Sequence, residues 1–118
     1  MKEIGIGLSC SLKSDAIGEL VYIQSIEDVI NLFDNASGKI CIVDDAGITT
    51  LSPILSDLVG TICTTGSAGS HLAIVSREFG LPCIMAMKFI TNDLSSLSGR
   101  TGKIVHDGEE KGILYLID

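Results

Sequence analysis

The sequence predicts an α/β domain with a parallel, helix-covered central unit and a C-terminal β-hairpin. Between residues 39 and 86, short apolar runs of strand length alternate with helical patterns, which is typical of parallel strands joined by helices. Hydrophobic residues make up 46% of the 118 residues but aromatic residues only 4%, so the core must consist of Ile, Leu, Val and Ala. A chain of this length forms one compact domain, and we expect residues 1–118 to be that domain.

Two strands and a helix are expected before the central unit. Residues 3–8, with apolar side chains at alternate positions, and residues 18–23, rich in Leu, Val, Tyr and Ile, both predict strands. Ser25 can cap a helix that ends at Gly38. The apolar face of this helix is expected to consist of Ile26, Val29, Ile30 and Phe33.

The central unit is predicted from three apolar runs and two helical patterns. Residues 39–43 form a continuous apolar run, the pattern of a strand covered on both faces. A helix is expected from Ser52-Pro53, since proline at the first helical position loses no hydrogen bond. Residues 61–64 and 83–86 predict two more strands, and the helix between them is ended by the glycine and proline of residues 80–82. The apolar positions are Ile54, Leu55 and Leu58 in the first helix and Leu72, Ile74, Val75 and Phe79 in the second.

The last part of the chain predicts the hairpin. Strand-like residues 99–106 and 111–117 flank residues 107–110, whose sequence Asp-Gly-Glu-Glu contains a glycine suited to a turn. His106 is expected at this turn as a solvated residue, and we assign it no role.

Charge and apolar patterning exclude two classes of partner. The formal net charge is −7 and the pI is about 4.6, and the Lys and Arg residues form no cluster, so a nucleic-acid partner is not expected. No apolar run approaches the roughly 20 residues of a membrane span, and the first residues lack the apolar core of a signal peptide. We therefore expect a cytoplasmic protein with no membrane partner.

The cysteines do not predict a metal site. Cys10, Cys41, Cys63 and Cys83 form no Cys-x-x-Cys pair and stand at no zinc-finger spacing from a histidine. Cys41 and Cys63 lie inside apolar runs, where thiols pack as small hydrophobic groups, so we expect them to be buried and reduced.

The most informative segment is a loop of small residues that leads from a strand into the first turn of a helix at His71. Such a loop exposes backbone N–H groups at the carboxyl edge of a parallel sheet, where anions commonly bind. The positive end of the helix disfavours a cationic imidazole, and a neutral imidazole can act as a nucleophile. The same N–H groups would stabilise a phosphoryl group on His71, and hydroxyl donors are available from Thr64, Thr65, Ser67 and Ser70.

Other interpretations of this loop and of the N-terminal glycines are weaker or remain open. The loop has no Lys of the kind a nucleotide P-loop requires, and its serines do not stand at the centre of a nucleophile elbow. The pair Gly5 and Gly7 starts like a dinucleotide fingerprint, but the third glycine and the following helix are missing. From the residues alone, the more common role of a lone histidine at this position is that of a helix-start residue with a satisfied hydrogen bond.

Residues 60–84, with the sequence GTICTTGSAGSHLAIVSREFGLPCI, resemble the phosphohistidine mobile domain of phosphoenolpyruvate-utilising enzymes. That family has a strand, a Gly-Gly-x-Thr-Ser-His loop, a helix beginning Ala-Ala-Ile-x-Ala-Arg, and a Gly-Ile-Pro segment before a further strand. The resemblance extends more weakly to Ser52-Pro53 and to the closing segment 99–115. The family includes pyruvate phosphate dikinase, phosphoenolpyruvate synthase and rifampicin phosphotransferase.

The resemblance implies a swivelling β/β/α three-layer domain in which His71 is the phosphorylated residue. Gly66 matches the first loop glycine, Ser70 the residue before the histidine, and Arg77 the helix arginine. Arg77 is expected either to contact the phosphoryl group or to pair with an acidic neighbour. Two positions depart from the family pattern, since Ser67 replaces the second loop glycine and Gly69 replaces the threonine. The implied phosphoryl-binding set is Thr64, Thr65, Gly66, Ser67, Gly69, Ser70 and Arg77.

The expected function is therefore that of a phosphoryl carrier that is not a complete enzyme alone. We expect no cofactor or metal on this chain. Mg and ATP or phosphoenolpyruvate are expected at a partner, either a nucleotide-binding domain or subunit of the ATP-grasp type or a phosphoenolpyruvate-binding one. The chain can be an excised domain or a stand-alone carrier subunit. Two alternatives are a non-catalytic binding or regulatory module with the same swivelling fold, and a structural domain whose His71 loop is covered.

Overall fold

The computed structural model describes residues 2–10, 15–44, 51–66, 70–107 and 110–117. The strands in these ranges are β1 (Lys2–Ser9), β2 (Ala16–Tyr22), β3 (Lys39–Val43), β4 (Gly60–Cys63), β5 (Cys83–Phe89), β6 (Thr101–Asp107) and β7 (Lys111–Leu116). The α-helices are α1 (Ile26–Ile30) and α2 (His71–Glu78), and 3₁₀ helices span Ser52–Asp57 and Leu94–Leu97. The order of elements is that of a mixed α/β domain with few helices.

The described strands close into a barrel in the order β1, β5, β4, β3, β2, β6, β7, with β7 pairing back to β1. Neighbouring strands from β2 through β3 and β4 to β5 run parallel, which confirms the predicted parallel unit. β6 and β7 pair antiparallel, which confirms the predicted C-terminal hairpin. Gly108 and Glu109 of its connection lie outside the described residues. The sequence does not predict this closure, which leaves no described strand without a partner on either side.

The barrel interior is filled by aliphatic side chains from alternate positions of its strands. Ile42 of β3 and Ile62 of β4 point inwards and are fully buried. Gly7 and Gly112 make room for Ile84, because a Cβ at either glycine would stand 2.8 Å from that side chain. The other buried members of this cluster are Ile4, Leu20, Ile40, Met87, Leu97, Ile104 and Leu114.

The outer faces of the parallel strands pack against the helical segments. Cys41 and Val43 of β3 and Cys63 of β4 face outwards into a second buried cluster. This cluster also contains Cys10, Ile23, Val29, Leu32, Ala36, Leu51, Ile54, Leu55, Leu58, Leu72, Ala73, Leu81, Cys83 and Met85. β3 is thus covered on both faces, as its continuous apolar run predicts, and the expected burial of Cys41 and Cys63 is confirmed. Both thiols are free.

The first predicted helix is shorter than expected, and the prediction of its apolar face was wrong. Ser25 caps α1 through a bond from the Asp28 backbone N–H, but the helix ends at Ile30 because turns closed by i to i+3 hydrogen bonds follow it. Of the four predicted apolar positions only Val29 is buried, whereas the side chains at positions 26, 30 and 33 are more than half exposed. The chain buries Leu32 and Ala36 from the turns instead.

The other two predicted helices differ from expectation in smaller ways. Residues 52–57 form a 3₁₀ helix rather than an α-helix, although Ile54, Leu55 and Leu58 are buried as predicted. α2 buries Leu72, Ala73 and Ser76 against the barrel, so the predicted Ile74 and Phe79 remain partly exposed. Small side chains at positions 73 and 76 let the helix approach the sheet closely.

His106 is not a solvated turn residue, which corrects the prediction from sequence. It lies within β6 and is half-buried. Its Nδ1 atom is 2.6 Å from the Ser9 Oγ atom, and its backbone N–H donates to the Asp15 carboxylate at 3.4 Å. Its Nε2 atom is buried. The hydrogen bond to a residue 97 positions away depends on barrel closure, which the sequence does not reveal.

The helices of the described part of the chain are all too short or too polar to cross a membrane.

Replacing Ile62 with alanine tests whether the barrel interior determines stability. Ile62→Ala should lower the free energy of unfolding by about 3 kcal/mol, because it leaves a cavity between fully buried side chains. Ile90→Ala is a matched control, since Ile90 is 66% exposed, and it should change stability by less than about 0.5 kcal/mol. Denaturant unfolding of both variants measures the difference, and equal effects would contradict the assigned core.

The buried thiols predict a loss of stability at alkaline pH. Burial raises the pKa of Cys41 to about 12 and that of Cys83 to about 11, from an ordinary value of 9.0. The thiols of the unfolded chain therefore lose their protons at lower pH than those of the folded chain. The stability that the two buried, neutral thiols contribute is complete below pH 9 and declines as the pH rises towards their pKa values in the folded chain. Each thiol adds a slope of up to about 1.4 kcal/mol per pH unit.

Denaturant unfolding between pH 8 and about 10.5 checks this expectation. The double variant Cys41→Ala with Cys83→Ala should lose stability more slowly with rising pH than the wild type does. Equal slopes would show that these thiols do not ionise differently in the two states.

Candidate functional site

The carboxyl ends of β2, β3 and β4 meet at one edge of the parallel sheet, beside the start of α2. Tyr22 ends β2, Asp44 follows β3, and Thr64 follows β4. Parallel registers pair Tyr22 with Ile42 and Val43 with Cys63, so residues just past these strands are neighbours. The carboxyl ends of parallel strands are where ligands of α/β proteins commonly bind, in barrels as in open sheets.

His71 is the first residue of α2, and its side chain is exposed. Within the described ranges the imidazole has no hydrogen-bond partner at this position. Ser70 precedes the helix with extended backbone angles, and its side chain does not cap the helix. The N–H groups of a first helical turn have no partner inside the helix, and they carry the positive end of its dipole. The position combines an accessible nucleophile with a local preference for anions.

The two threonines predicted as phosphoryl ligands are hydrogen-bonded to Asp44. The Thr64 Oγ1 hydroxyl donates to the Asp44 Oδ1 atom at 3.1 Å, and the Thr65 Oγ1 hydroxyl donates to the Asp44 carbonyl at 2.8 Å. The Tyr22 hydroxyl donates to the second carboxylate oxygen, and this bond raises the pKa of Tyr22 to about 12. Three hydroxyl groups therefore converge on one acidic residue.

Sequence reasoning did not identify Tyr22 and Asp44 as site residues. A signal was available for Asp44, because it directly follows a strand buried on both faces, and the ends of such strands carry binding residues. Tyr22 had no comparable signal, since its proximity depends on the parallel register between β2 and β3.

The base of the loop is attached to a strained position in β5. Ala86 has a φ of +52°, in the left-handed region that disfavours side chains other than that of glycine. Its backbone N–H donates to the Thr65 carbonyl at 3.2 Å, and the pairing between β1 and β5 shifts register at this point. The strained backbone thus holds the beginning of the loop.

A buried pair of hydroxyl groups attaches α2 to β4. The Thr61 Oγ1 and Ser76 Oγ atoms are 2.9 Å apart, and both side chains are fully buried. The strand that leads into the loop and the helix that follows it are therefore joined beneath the site, which limits movement of His71 relative to Thr64.

Arg77 lies in the last turn of α2, roughly 9 Å along the helix axis from His71 at a rise of 1.5 Å per residue. Its Nη1 atom donates to the Cys10 carbonyl at 2.8 Å. The sequence does not predict this contact, and an acidic partner for Arg77 stays a prediction. A phosphoryl contact by Arg77 stays a prediction.

The loop itself is described only at its two ends. Gly66 has a φ of +85°, a conformation that only glycine adopts without strain, so the family's first loop glycine has a physical reason here. Ser67 and Gly69, the two departures from the family pattern, lie outside the described residues. No three His, Cys, Asp or Glu side chains within the described ranges are grouped as a metal site requires.

Comparison with known proteins shows which family this chain belongs to. A family model for the PEP-utilising enzyme, mobile domain, matches residues 35–110, which include the whole site apart from Tyr22. Chondramide synthase cmdD of Chondromyces crocatus is 28% identical over 116 residues, which are 98% of this chain and 3% of that protein. Phosphoenolpyruvate synthase of Pyrococcus furiosus is 29% identical over 92 residues, covering 74% of this chain and 11% of that protein. The chain spans a small part of the length of both relatives.

Glycine at position 86 tests the strain at the base of the loop. The left-handed conformation costs a residue with a side chain about 1–2 kcal/mol, and glycine adds about 0.5–1 kcal/mol of unfolded-state entropy. Ala86→Gly should therefore stabilise the protein slightly, whereas Ala86→Val should destabilise it, because branched side chains are rare at positive φ.

Thermal unfolding of the two variants measures both effects. Ala73→Gly is the control, since Ala73 lies inside α2 and is fully buried, and it should be destabilised by about 1 kcal/mol or more through helix propensity and lost packing. A loss of stability in Ala86→Gly equal to that of the control would contradict the assigned strain.

Proposed function

Because the chain belongs to the mobile-domain family of PEP-utilising enzymes, we propose that it carries a phosphoryl group on His71. The observation that supports this most directly is the exposed imidazole at the first residue of α2, beside a sheet edge rich in hydroxyl groups. A carrier needs a nucleophile that two active sites can reach in turn. It also needs groups that stabilise the negative charge of the phosphoryl group. Such stabilisation is the main contribution of the protein when the transition state is loose.

The proposed transfer consists of two displacements at phosphorus. A lone pair on a His71 ring nitrogen attacks the phosphorus of the donor. The N–P bond forms as the bond from phosphorus to the leaving group breaks, and the leaving group keeps that electron pair. In the second displacement an acceptor attacks the phosphorus, and the N–P electron pair returns to the imidazole. The first-turn N–H groups of α2 stabilise the phosphoryl oxygens between the two steps.

The donor and the acceptor belong to partners in this proposal. The chain spans only 11% of phosphoenolpyruvate synthase and 3% of chondramide synthase, so binding of nucleotide or phosphoenolpyruvate is assigned to another domain or subunit. Mg²⁺ is assigned to the partner as well. The domain would swivel as a three-layer β/β/α unit between the two active sites. Its net charge of −7 favours partner surfaces of complementary charge.

Labelling of His71 tests the proposal. Wild-type protein is exposed to phosphoramidate and, separately, to a lysate of the source cells supplied with ATP or phosphoenolpyruvate, and intact-mass spectrometry follows. We expect an acid-labile gain of one phosphoryl group, because phosphohistidine is hydrolysed in acid, and this gain should be absent in His71→Ala. The donor that works in the lysate identifies the class of partner enzyme.

His106→Gln is the matched control, since His106 is the second histidine of the chain and is engaged with Ser9. This variant should be labelled like the wild type. Equal labelling of His71→Ala, or a wild type that neither donor labels, would contradict the carrier function. An unlabelled wild type would favour the alternative, a binding or regulatory module that keeps the fold.

A further inference from the structure

Asp44 accepts hydrogen bonds from Thr64 and Thr65, two of the hydroxyl residues proposed to bind a phosphoryl group on His71. Its carboxylate accepts from Tyr22 and Thr64, and its carbonyl accepts from Thr65. The Asp44 carbonyl is also 3.4 Å from the Thr64 hydroxyl. The Asp44 side chain is exposed, so a group arriving from solvent can reach it.

A threonine hydroxyl has one proton to donate. While that proton points at Asp44, it cannot point at a phosphoryl oxygen, and phosphoryl oxygens without protons only accept hydrogen bonds. Thr64 and Thr65 can therefore serve Asp44 or the phosphoryl group, but not both at once. Hydrogen bonds to charged acceptors are stronger than those between neutral groups, so the exchange affects the stability of the phosphorylated state.

We propose that Asp44 is a positioning residue that holds the Thr64 and Thr65 hydroxyls in the unphosphorylated domain and competes with the phosphoryl group for them. This inference rests on the proposed function, because it needs a phosphoryl group on His71. The competition and the repulsion between the Asp44 carboxylate and the phosphoryl group make the phosphorylated state less stable. It would be more stable if the two threonine hydroxyls were free to bind the phosphoryl group. A carrier benefits from this, since a weakly held phosphoryl group passes on readily.

Tyr22 limits how strongly the Asp44 carboxylate competes for Thr64, because its hydroxyl donates a second hydrogen bond to that carboxylate. Its hydroxyl stays protonated up to high pH, because the bond to Asp44 raises the pKa of Tyr22 to about 12. Its ring packs against the barrel interior, which fixes the hydroxyl beside β3. Removing only this hydroxyl leaves the negative charge of Asp44 without one of its donors, and the carboxylate should then hold Thr64 more strongly.

The lifetime of phosphorylated His71 measures the competition. Each protein is phosphorylated with phosphoramidate, a reaction in which the P–N bond of the reagent breaks and ammonia leaves. The reagent is then removed, and loss of the phosphoryl group is followed by intact mass. Asp44→Asn should lengthen the lifetime by about five-fold, because a neutral acceptor holds Thr64 less strongly than a charged one. Tyr22→Phe should shorten it, and this opposite sign separates the competition from general damage to the site.

A double-variant cycle separates the hydroxyl competition from simple charge repulsion. If Thr64 is the group exchanged, Asp44→Asn should lengthen the lifetime much less in a Thr64→Val background than in the wild type, since interacting residues are not additive. Asp57→Asn is the charge control. Asp57 is exposed and precedes β4, at the opposite end of the strand from Thr64, and its variant should keep the wild-type lifetime.

The experiment distinguishes failure of the proposed function from failure of the role assigned to Asp44. A wild type that is not phosphorylated on His71 overturns the proposed function and this inference with it. A phosphorylated wild type whose lifetime is unchanged or shortened by Asp44→Asn overturns this inference alone. An equal lengthening with and without the Thr64 hydroxyl also overturns it, because charge repulsion would then be sufficient.

Discussion

The parallel hydrogen-bonded register of β3 and β4 is the constraint on which the site depends. It places the residues that follow the two strands side by side, so Asp44 and Thr64 meet although they are 20 positions apart. The same strands are buried on both faces, by the barrel interior and by the helical segments. The register cannot slip by one residue without turning the inward isoleucines outwards. Burial of the core thus determines the geometry of an exposed polar site.

The connection from β4 to α2 transmits this constraint to His71. The fully buried bond between Thr61 and Ser76 holds the helix on the strand, and the N–H of Ala86 holds the Thr65 carbonyl. These two contacts attach α2 to β4 and Thr65 to β5, on either side of the loop. Asp44, which accepts a hydrogen bond from Tyr22, places a negative charge at an edge that is otherwise suited to anions. That contrast motivates the proposed competition.

Local patterns in the sequence predicted the parts of this structure that depend on local physics. The continuous apolar run of residues 39–43 predicted a strand covered on both faces, and the loop before His71 predicted a helix start at the sheet edge. Features that depend on distant contacts were not predictable. Closure requires β1 to pair with β7 across the whole chain, and the contact of His106 with Ser9 follows from it. The exposure of Ile26 and Ile30 could not be inferred either, because helical spacing does not show which side of a short helix packs against the core. Tyr22 reaches Asp44 only through the register between β2 and β3.

The central claim is that a phosphoryl group can be bonded to a nitrogen of His71. The most direct measurement is nuclear magnetic resonance on protein with ¹⁵N-labelled histidine after treatment with phosphoramidate. The account predicts a one-bond coupling between phosphorus and a ring nitrogen of one histidine, assigned to His71 by its loss in His71→Ala, while His106 stays unchanged. A phosphorus signal coupled to His106, or no coupling to either histidine, would contradict it.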